Sequence, residues 1–125
     1  MENERFERLV VKAIESLPEE FRERMENIDV VVADEPTLKQ LSKIERKRGE
    51  TLLGLYEGVP LTERSHGYGF VMPDKITIFQ KSIEAAYHGE HQITRGIERV
   101  VKHEIAHHFG IGDARLDEIE GNRED

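Results

Sequence analysis

The clearest pattern of hydrophobic and polar positions lies near the N-terminus, where apolar side chains recur at the i, i+3, i+4, i+7 spacing of an amphipathic helix. These side chains are Phe6, Leu9, Val10, Ala13, Ile14 and Leu17. Pro18 ends this helix because proline disrupts a helix interior, and it is well suited to start a second, short helix that buries Phe21 and Met25. The pattern predicts a helical N-terminal region.

Three short segments have the composition of β-strands. Ile28–Ala33 is brief and rich in β-branched residues, which predicts a buried strand. Residues 52–56 and 75–79 predict two more strands. The connection over residues 58–74 is long for a small domain, and such loops are usually functional or contain an edge strand.

The remaining periodic segments predict helices. Thr37 is placed to cap a helix that continues past Leu41 and ends at Gly49. Residues 82–87 and 113–120 predict short helices, and residues 93–109 form the clearest helix of the chain. Strands and helices that mix without regular alternation predict an α+β fold. At 125 residues, the chain has the size of a single domain, residues 1–125.

Composition excludes several classes of protein. Apolar residues make up 37% of the chain and charged residues 35%, which is typical of a soluble globular protein. A formal charge of -8 disfavours nucleic-acid binding, which depends on concentrated Lys and Arg. No apolar run approaches the roughly 20 residues that span a membrane, and the N-terminus does not resemble a signal peptide, so we expect a cytoplasmic protein without membrane contact. Since there is no cysteine, a transition-metal site must use imidazole and carboxylate ligands.

The predicted helix of residues 93–109 carries the chemistry. Residues 103–107 fit the pattern H-E-x-x-H, with His103 and His107 four positions apart. Residues at i and i+4 share one face of a helix, so both imidazoles can bind a single ion. Glu104 lies about 100° round the helix, which suits it to hold a water molecule without binding the metal.

The rest of this helix predicts how the two histidines are positioned. An apolar stripe would pack the helix against a sheet, while charged residues lie on the other side. The stripe consists of Ile93, Ile97, Val100 and Val101. The charged residues are Arg95, Arg99 and Lys102.

A third ligand is expected after the helix. Gly110 ends the helix, because glycine readily takes positive φ, and this reversal can bring Asp113 toward the two histidines. The longer pattern is then H-E-x-x-H-x-x-G-x-x-D. Asp113 is also a good N-cap for the following helix, and Asp117 and Glu118 are the alternative carboxylates.

Residues 100–116 resemble the short bacterial zincin-like metallopeptidases, whose motif is HExxHxxGxx followed by His or Asp. Residues 52–64 and 75–80 resemble the strands and the loop of that family upstream of the active helix. The resemblance implies a minimal zincin fold, in which a small mixed sheet packs on the metal-bearing helix. It also implies Zn²⁺ held by His103, His107 and Asp113, with Glu104 as the general base.

The expected reaction is hydrolysis of an amide bond in a peptide or protein by a zinc-activated water. His66, Tyr68 and Tyr56 are candidates for stabilising the oxyanion, and the residues do not choose among them. His108 is expected to be packed beside the site rather than to bind the metal. His88 and His91 are expected at the surface.

Only 18 residues follow His107, which leaves little chain to form the far wall of a substrate cleft. We therefore expect weak activity, or a protein partner that completes the cleft. A metal-binding interaction module without turnover is the second interpretation. A metal-dependent ribonuclease is the third, and it is disfavoured by Glu104 because the comparable rRNA-processing family lacks that glutamate.

Overall fold

Five α-helices and three β-strands form the part of the chain that the computed structural model describes, which is residues 1–42, 52–58 and 73–112. The elements are α1 (Asn3–Glu15), α2 (Glu19–Arg24), a 3-10 turn (Met25–Asn27), β1 (Ile28–Ala33), α3 (Leu38–Ser42), β2 (Gly54–Glu57), β3 (Asp74–Phe79), α4 (Gln80–Ala86) and α5 (Glu90–Phe109). The mixture confirms the predicted α+β class. None of the helices in these ranges has the length and apolar character needed to cross a membrane.

The three strands form one mixed sheet with the order β1–β3–β2. β1 runs parallel to β3, with Ile28 opposite Asp74, and β2 runs antiparallel to β3, with Gly54 opposite Ile78. The central strand β3 is buried along most of its length, as expected for a strand with a neighbour on each side. The small mixed sheet confirms the prediction.

The prediction that β1 is a buried strand was wrong, because none of its residues is buried. Asp29 and Val31 are exposed, whereas Ile28, Val30 and Val32 are partly buried and pack against the core. Successive side chains of a strand point to opposite faces of the sheet, and the face with Ile28, Val30 and Val32 is the one that packs against the core. The β-branched run therefore indicated the strand correctly but not the burial of its second face.

The boundaries of the other elements moved by a few residues. β2 begins at Gly54 and α4 begins at Gln80, each two residues from the predicted start. Thr37 caps α3 as predicted: its Oγ1 accepts the Gln40 N–H at 3.0 Å, and the Gln40 side chain accepts the Thr37 N–H at 2.9 Å. The predicted end at Gly49, the loop over residues 59–72 and the helix 113–120 lie outside the described residues.

The core lies between α1, α5 and one face of the sheet. Phe6 and Ala13 of α1 are fully buried, as are Ile97 and Val101 of α5. The apolar stripes that were predicted for both helices therefore meet each other as well as the sheet. This packing fixes the position of α5, whose C-terminal end carries the H-E-x-x-H motif.

One part of the prediction for α5 was wrong. Lys102 was expected on the exposed side but is only 6% exposed, and Glu98 is only 2% exposed. α5 contacts α1, α4, β2 and β3, so the buried arc of the helix is wider than a single apolar stripe. Arg99 remains exposed, as predicted.

Candidate metal centre

The last two turns of α5 bring His103 and His107 together. Their ring centroids lie 6.4 Å apart with the ring planes nearly perpendicular, at 83°. His103 is partly buried and His107 is exposed. Ile105, between them in sequence, is fully buried against the core. The apolar side of the helix thus holds the backbone while the two imidazoles reach toward solvent.

A left-handed residue ends α5, as the sequence predicts. Gly110 has φ 71° and ψ 27°, and its N–H faces the His107 carbonyl at 3.4 Å. The next N–H, of Ile111, donates to the Ala106 carbonyl at 2.8 Å. This pair of bonds is the Schellman arrangement, and Ile111 adds its usual apolar contact by packing against the core. The chain therefore reverses at Gly110 and returns Ile111 to the core, whereas Asp113 lies outside the described residues.

Glu104 is held at the edge of the sheet. Its Oε1 accepts a hydrogen bond of 2.8 Å from the backbone N–H of Tyr56 in β2. Burial raises the pKa of the Glu104 carboxyl above its ordinary value, while the Tyr56 N–H and the charges of His107 and His103 act in the opposite direction. The carboxylate is thus fixed in place and is more basic than an exposed glutamate.

Strand pairing explains why the Tyr56 N–H is directed toward α5. The Phe79 N–H donates to the Leu53 carbonyl at 3.0 Å, so the polar backbone groups of Leu53 face β3. In an antiparallel pair this direction alternates along the strand. The groups of Leu55 therefore face β3 too, and those of Gly54 and Tyr56 face away from it, toward α5. The register of β2 against β3 therefore determines that the Tyr56 N–H faces away from β3 and can bind Glu104.

A cluster of three side chains lies next to the motif, and no pattern in the sequence predicts that they meet. The Tyr56 hydroxyl donates to Asp74 Oδ2 at 2.5 Å. The His108 ring stacks on the Tyr56 ring, with centroids 3.9 Å apart and planes 15° apart, and its Nε2 lies 3.8 Å from Asp74 Oδ2. The His108 side chain thus lies beside the motif but is 41% exposed, and the expectation that it does not bind the metal stays a prediction. Asp74 carried no signal in sequence, because an aspartate where a strand begins resembles an ordinary turn residue.

Of the three candidates for stabilising the oxyanion, Tyr56 lies within the described residues. The Tyr56 hydroxyl is directed to Asp74, and His66 and Tyr68 lie outside the described residues. His88 and His91 are exposed at the surface, as expected. Within residues 1–42, 52–58 and 73–112, no three His, Asp or Glu side chains converge on a point where a metal ion could sit. The described residues thus place two imidazoles and one carboxylate next to each other.

Comparison with known families agrees with this geometry. Residues 25–123 match the family of zincin-like metallopeptidases, and the chain therefore belongs to that family. The match covers β1, β2, β3 and α5, and it confirms the resemblance that the motif suggested. No curated protein sequence matches the chain. Helix α1 lies outside the matched range, although its apolar face forms a large part of the core around α5.

Proposed function

We propose that this protein is a zinc-dependent peptidase that hydrolyses amide bonds in peptides or proteins. The observation that carries the proposal is the arrangement at the end of α5. Two imidazoles, His103 and His107, share the solvent-facing side of one helical turn, and the carboxylate of Glu104 is fixed beside them by a backbone N–H. Membership of the zincin-like metallopeptidase family supports the same conclusion.

The two imidazoles fit a shared zinc ion after a small rotation. Their ring centroids lie 6.4 Å apart, and the exposed His107 ring can turn toward His103, so both imidazoles could hold one ion. In the absence of cysteine, the donor set of imidazole and carboxylate is the one that catalytic zinc sites use.

We assign His103, His107 and Asp113 as the residues that hold the zinc. Asp113 is assigned because it follows the left-handed Gly110 at the family spacing, and because Ile111 ties the turn back to the helix. When bound, zinc supplies a water molecule of lowered pKa and polarises the carbonyl of the substrate. The two histidines and the aspartate fix its position on a rigid helix end.

Glu104 is assigned as the general base. Its Oε1 is held by the Tyr56 N–H, so the carboxylate has one anchored oxygen and a defined orientation. Its raised pKa makes it a better proton acceptor than a solvated glutamate. We propose that it takes a proton from the attacking water and delivers that proton to the departing amine.

Substitution of Glu104 by Gln tests this assignment. The glutamine side chain would keep the size of the glutamate and an oxygen for the Tyr56 N–H, but it cannot accept the proton. We expect peptide cleavage by the zinc-loaded protein to fall by about 10²–10⁴-fold, with zinc content unchanged. Glu7→Gln, at an exposed position on α1, is the matched control and should cleave as the wild type does.

The outcomes separate a peptidase from a binding module. Unchanged cleavage in Glu104→Gln would show that Glu104 is not the base. A zinc-loaded wild type that cleaves no peptide in a diverse library would leave the metal-binding interaction module as the function. If cleavage of that library appears only when a second protein is added, the predicted partner that completes the cleft is supported.

A further inference from the structure

The region beside His103 contains an open cavity of about 270 Å³. It lies where α5 passes the start of β2 and the end of α4. Its lining includes Leu52, Leu53, Tyr87, Arg99, Val100 and His103. Glu104 also borders it, so the cavity opens beside both a proposed zinc ligand and the proposed general base.

Close packing on two sides gives this cavity its shape. A Cβ atom at Gly54 would lie 2.5 Å from Val100 Cγ1, so the strand and the helix approach as closely as glycine allows. A Cβ atom at Gly96 would overlap the Tyr87 ring, which therefore lies directly on the backbone of α5. These contacts leave the side chains of Tyr87 and Val100 little room to move.

The lining is largely apolar, with the cationic Arg99 and, where the cavity meets the motif, His103 and Glu104. Leu52, Leu53 and Val100 are aliphatic, whereas Arg99 is exposed and makes no ion pair with any described residue. A second cavity of about 360 Å³ adjoins this one, shares Tyr87 and Arg99 with it, and is also bordered by Arg95. Arg95 and Arg99 thus place two cationic side chains beside these cavities, in a chain of formal charge -8.

We propose that the cavity beside His103 is a specificity subsite for an acidic substrate side chain, with Arg99 as the residue that selects it. This inference rests on the proposed peptidase function. A glutamate side chain would place its methylene groups against the aliphatic lining and its carboxylate at the guanidinium of Arg99.

The position of Arg99 agrees with a residue near the scissile bond. Arg99 and His103 are four residues apart on α5, which is about 6 Å along the helix axis. An extended substrate advances about 3.3 Å per residue. The selected side chain therefore belongs to a residue within about two positions of the bond that is cleaved. Since the acidic protein as a whole repels acidic peptides, such selectivity must come from a local cation.

The test uses synthetic decapeptides in which one position holds Glu, Gln, Leu or Lys. In separate peptide sets, that position is each of the two residues on either side of the cleaved bond. With zinc-loaded wild type we expect kcat/KM for the best Glu peptide to exceed that for its Gln counterpart by roughly fivefold. Arg99→Glu should reverse the order, so that Lys is preferred over Glu. Arg99→Lys should keep the preference for Glu.

Arg8→Glu is the matched control, because it makes the same change of charge at an exposed position of α1. It should leave the ratio of Glu to Gln cleavage as in the wild type. If Arg8→Glu and Arg99→Glu alter the ratio equally, net charge explains the selectivity and the subsite is refuted. Equal cleavage of Glu and Gln peptides by the wild type refutes it as well.

A binding measurement separates this inference from the proposed function. Fluorescence anisotropy of the same peptides is measured with zinc-loaded Glu104→Gln, and with that variant carrying Arg99→Glu in addition. If no peptide is cleaved but Glu peptides bind more tightly in an Arg99-dependent manner, the subsite stands and the peptidase function fails. If peptides are cleaved or bound without dependence on Arg99, the subsite fails, whatever the state of the function. If no peptide binds or is cleaved, both fail.

Discussion

The two ends of α5 have opposite surroundings. Over residues 90–102 the helix is packed on several sides, and Ile93, Ile97 and Val101 are at most 4% exposed. Over residues 103–109 only Ile105 and Ala106 remain buried, whereas His107 and His108 are exposed. Packing interactions therefore concentrate in the first part of the helix, and the polar groups of the motif lie in the second.

This difference shows how packing along the first part of a helix can position the side chains of its exposed end, where the zinc site is proposed. Because the first part of α5 is held by α1 and the sheet, the position of its last two turns is already determined. His103 and His107 then need few contacts of their own, and His107 is exposed to solvent. The comparison predicts that substitutions in the first part affect stability, and that those in the second part affect metal binding.

The largest expected effect on stability comes from Ile97→Ala. Ile97 is fully buried in the core that α1, α5 and the sheet form, so its truncation removes apolar contacts and leaves a cavity. We expect the free energy of unfolding to fall by about 2–5 kcal/mol, measured by urea denaturation of the metal-free protein. His107→Ala is the comparison from the exposed end and should change it by less than about 0.5 kcal/mol. Similar losses for both would remove the distinction between the two parts.

A smaller loss is expected at Gly54, where β2 approaches the boundary between the two parts. An added Cβ would meet Val100 Cγ1 at 2.5 Å and the Thr77 carbonyl oxygen at 3.2 Å. Gly54→Ala should therefore lower the free energy of unfolding by about 1–3 kcal/mol. Val100→Ala combined with Gly54→Ala should lose less than the sum of the single changes, because it removes the nearest clash. Additive losses would show that the strand does not press on the helix there.

The smallest effect concerns the pH dependence of stability in the metal-free protein. Burial raises the pKa of Glu104 above 4.5, so the folded state binds this proton more tightly than the unfolded state does. Its contribution to the free energy of unfolding therefore falls as pH rises from about 4.5 through the raised pKa. Glu104→Gln should lack this fall and be relatively more stable at neutral pH. Urea denaturation at several pH values tests it, and parallel curves for Glu104→Gln and wild type would refute the shift.

Much of the fold followed from local patterns in the sequence. The helical spacing from Phe6 to Leu17 predicted α1, the β-branched run predicted the bounds of β1, and Gly110 predicted the end of α5. Each of these is a preference of consecutive residues for one backbone conformation. The H-E-x-x-H motif could also be recognised from the sequence, because both imidazoles lie on a single helical turn.

What the sequence did not predict depends on contacts between distant segments. The burial of Lys102 follows from the wide arc that α1, α4 and the sheet cover on α5. The bond from Tyr56 to Glu104 joins residues 48 positions apart and depends on the register of β2. The cluster of Tyr56, Asp74 and His108 likewise requires a strand pair and a helix end to meet. Neither the periodicity nor the composition of the sequence predicts contacts between such distant residues.

Zinc binding by the purified protein is the decisive measurement, because the proposed function requires the end of α5 to present two imidazoles to one ion. Isothermal titration of metal-free protein with zinc should give one site per chain in the wild type. Affinity should fall by about 100-fold or more in His103→Ala and in His107→Ala. His88→Ala, at an exposed histidine outside the motif, should bind as the wild type does. Equal zinc affinity in all four proteins would contradict the account.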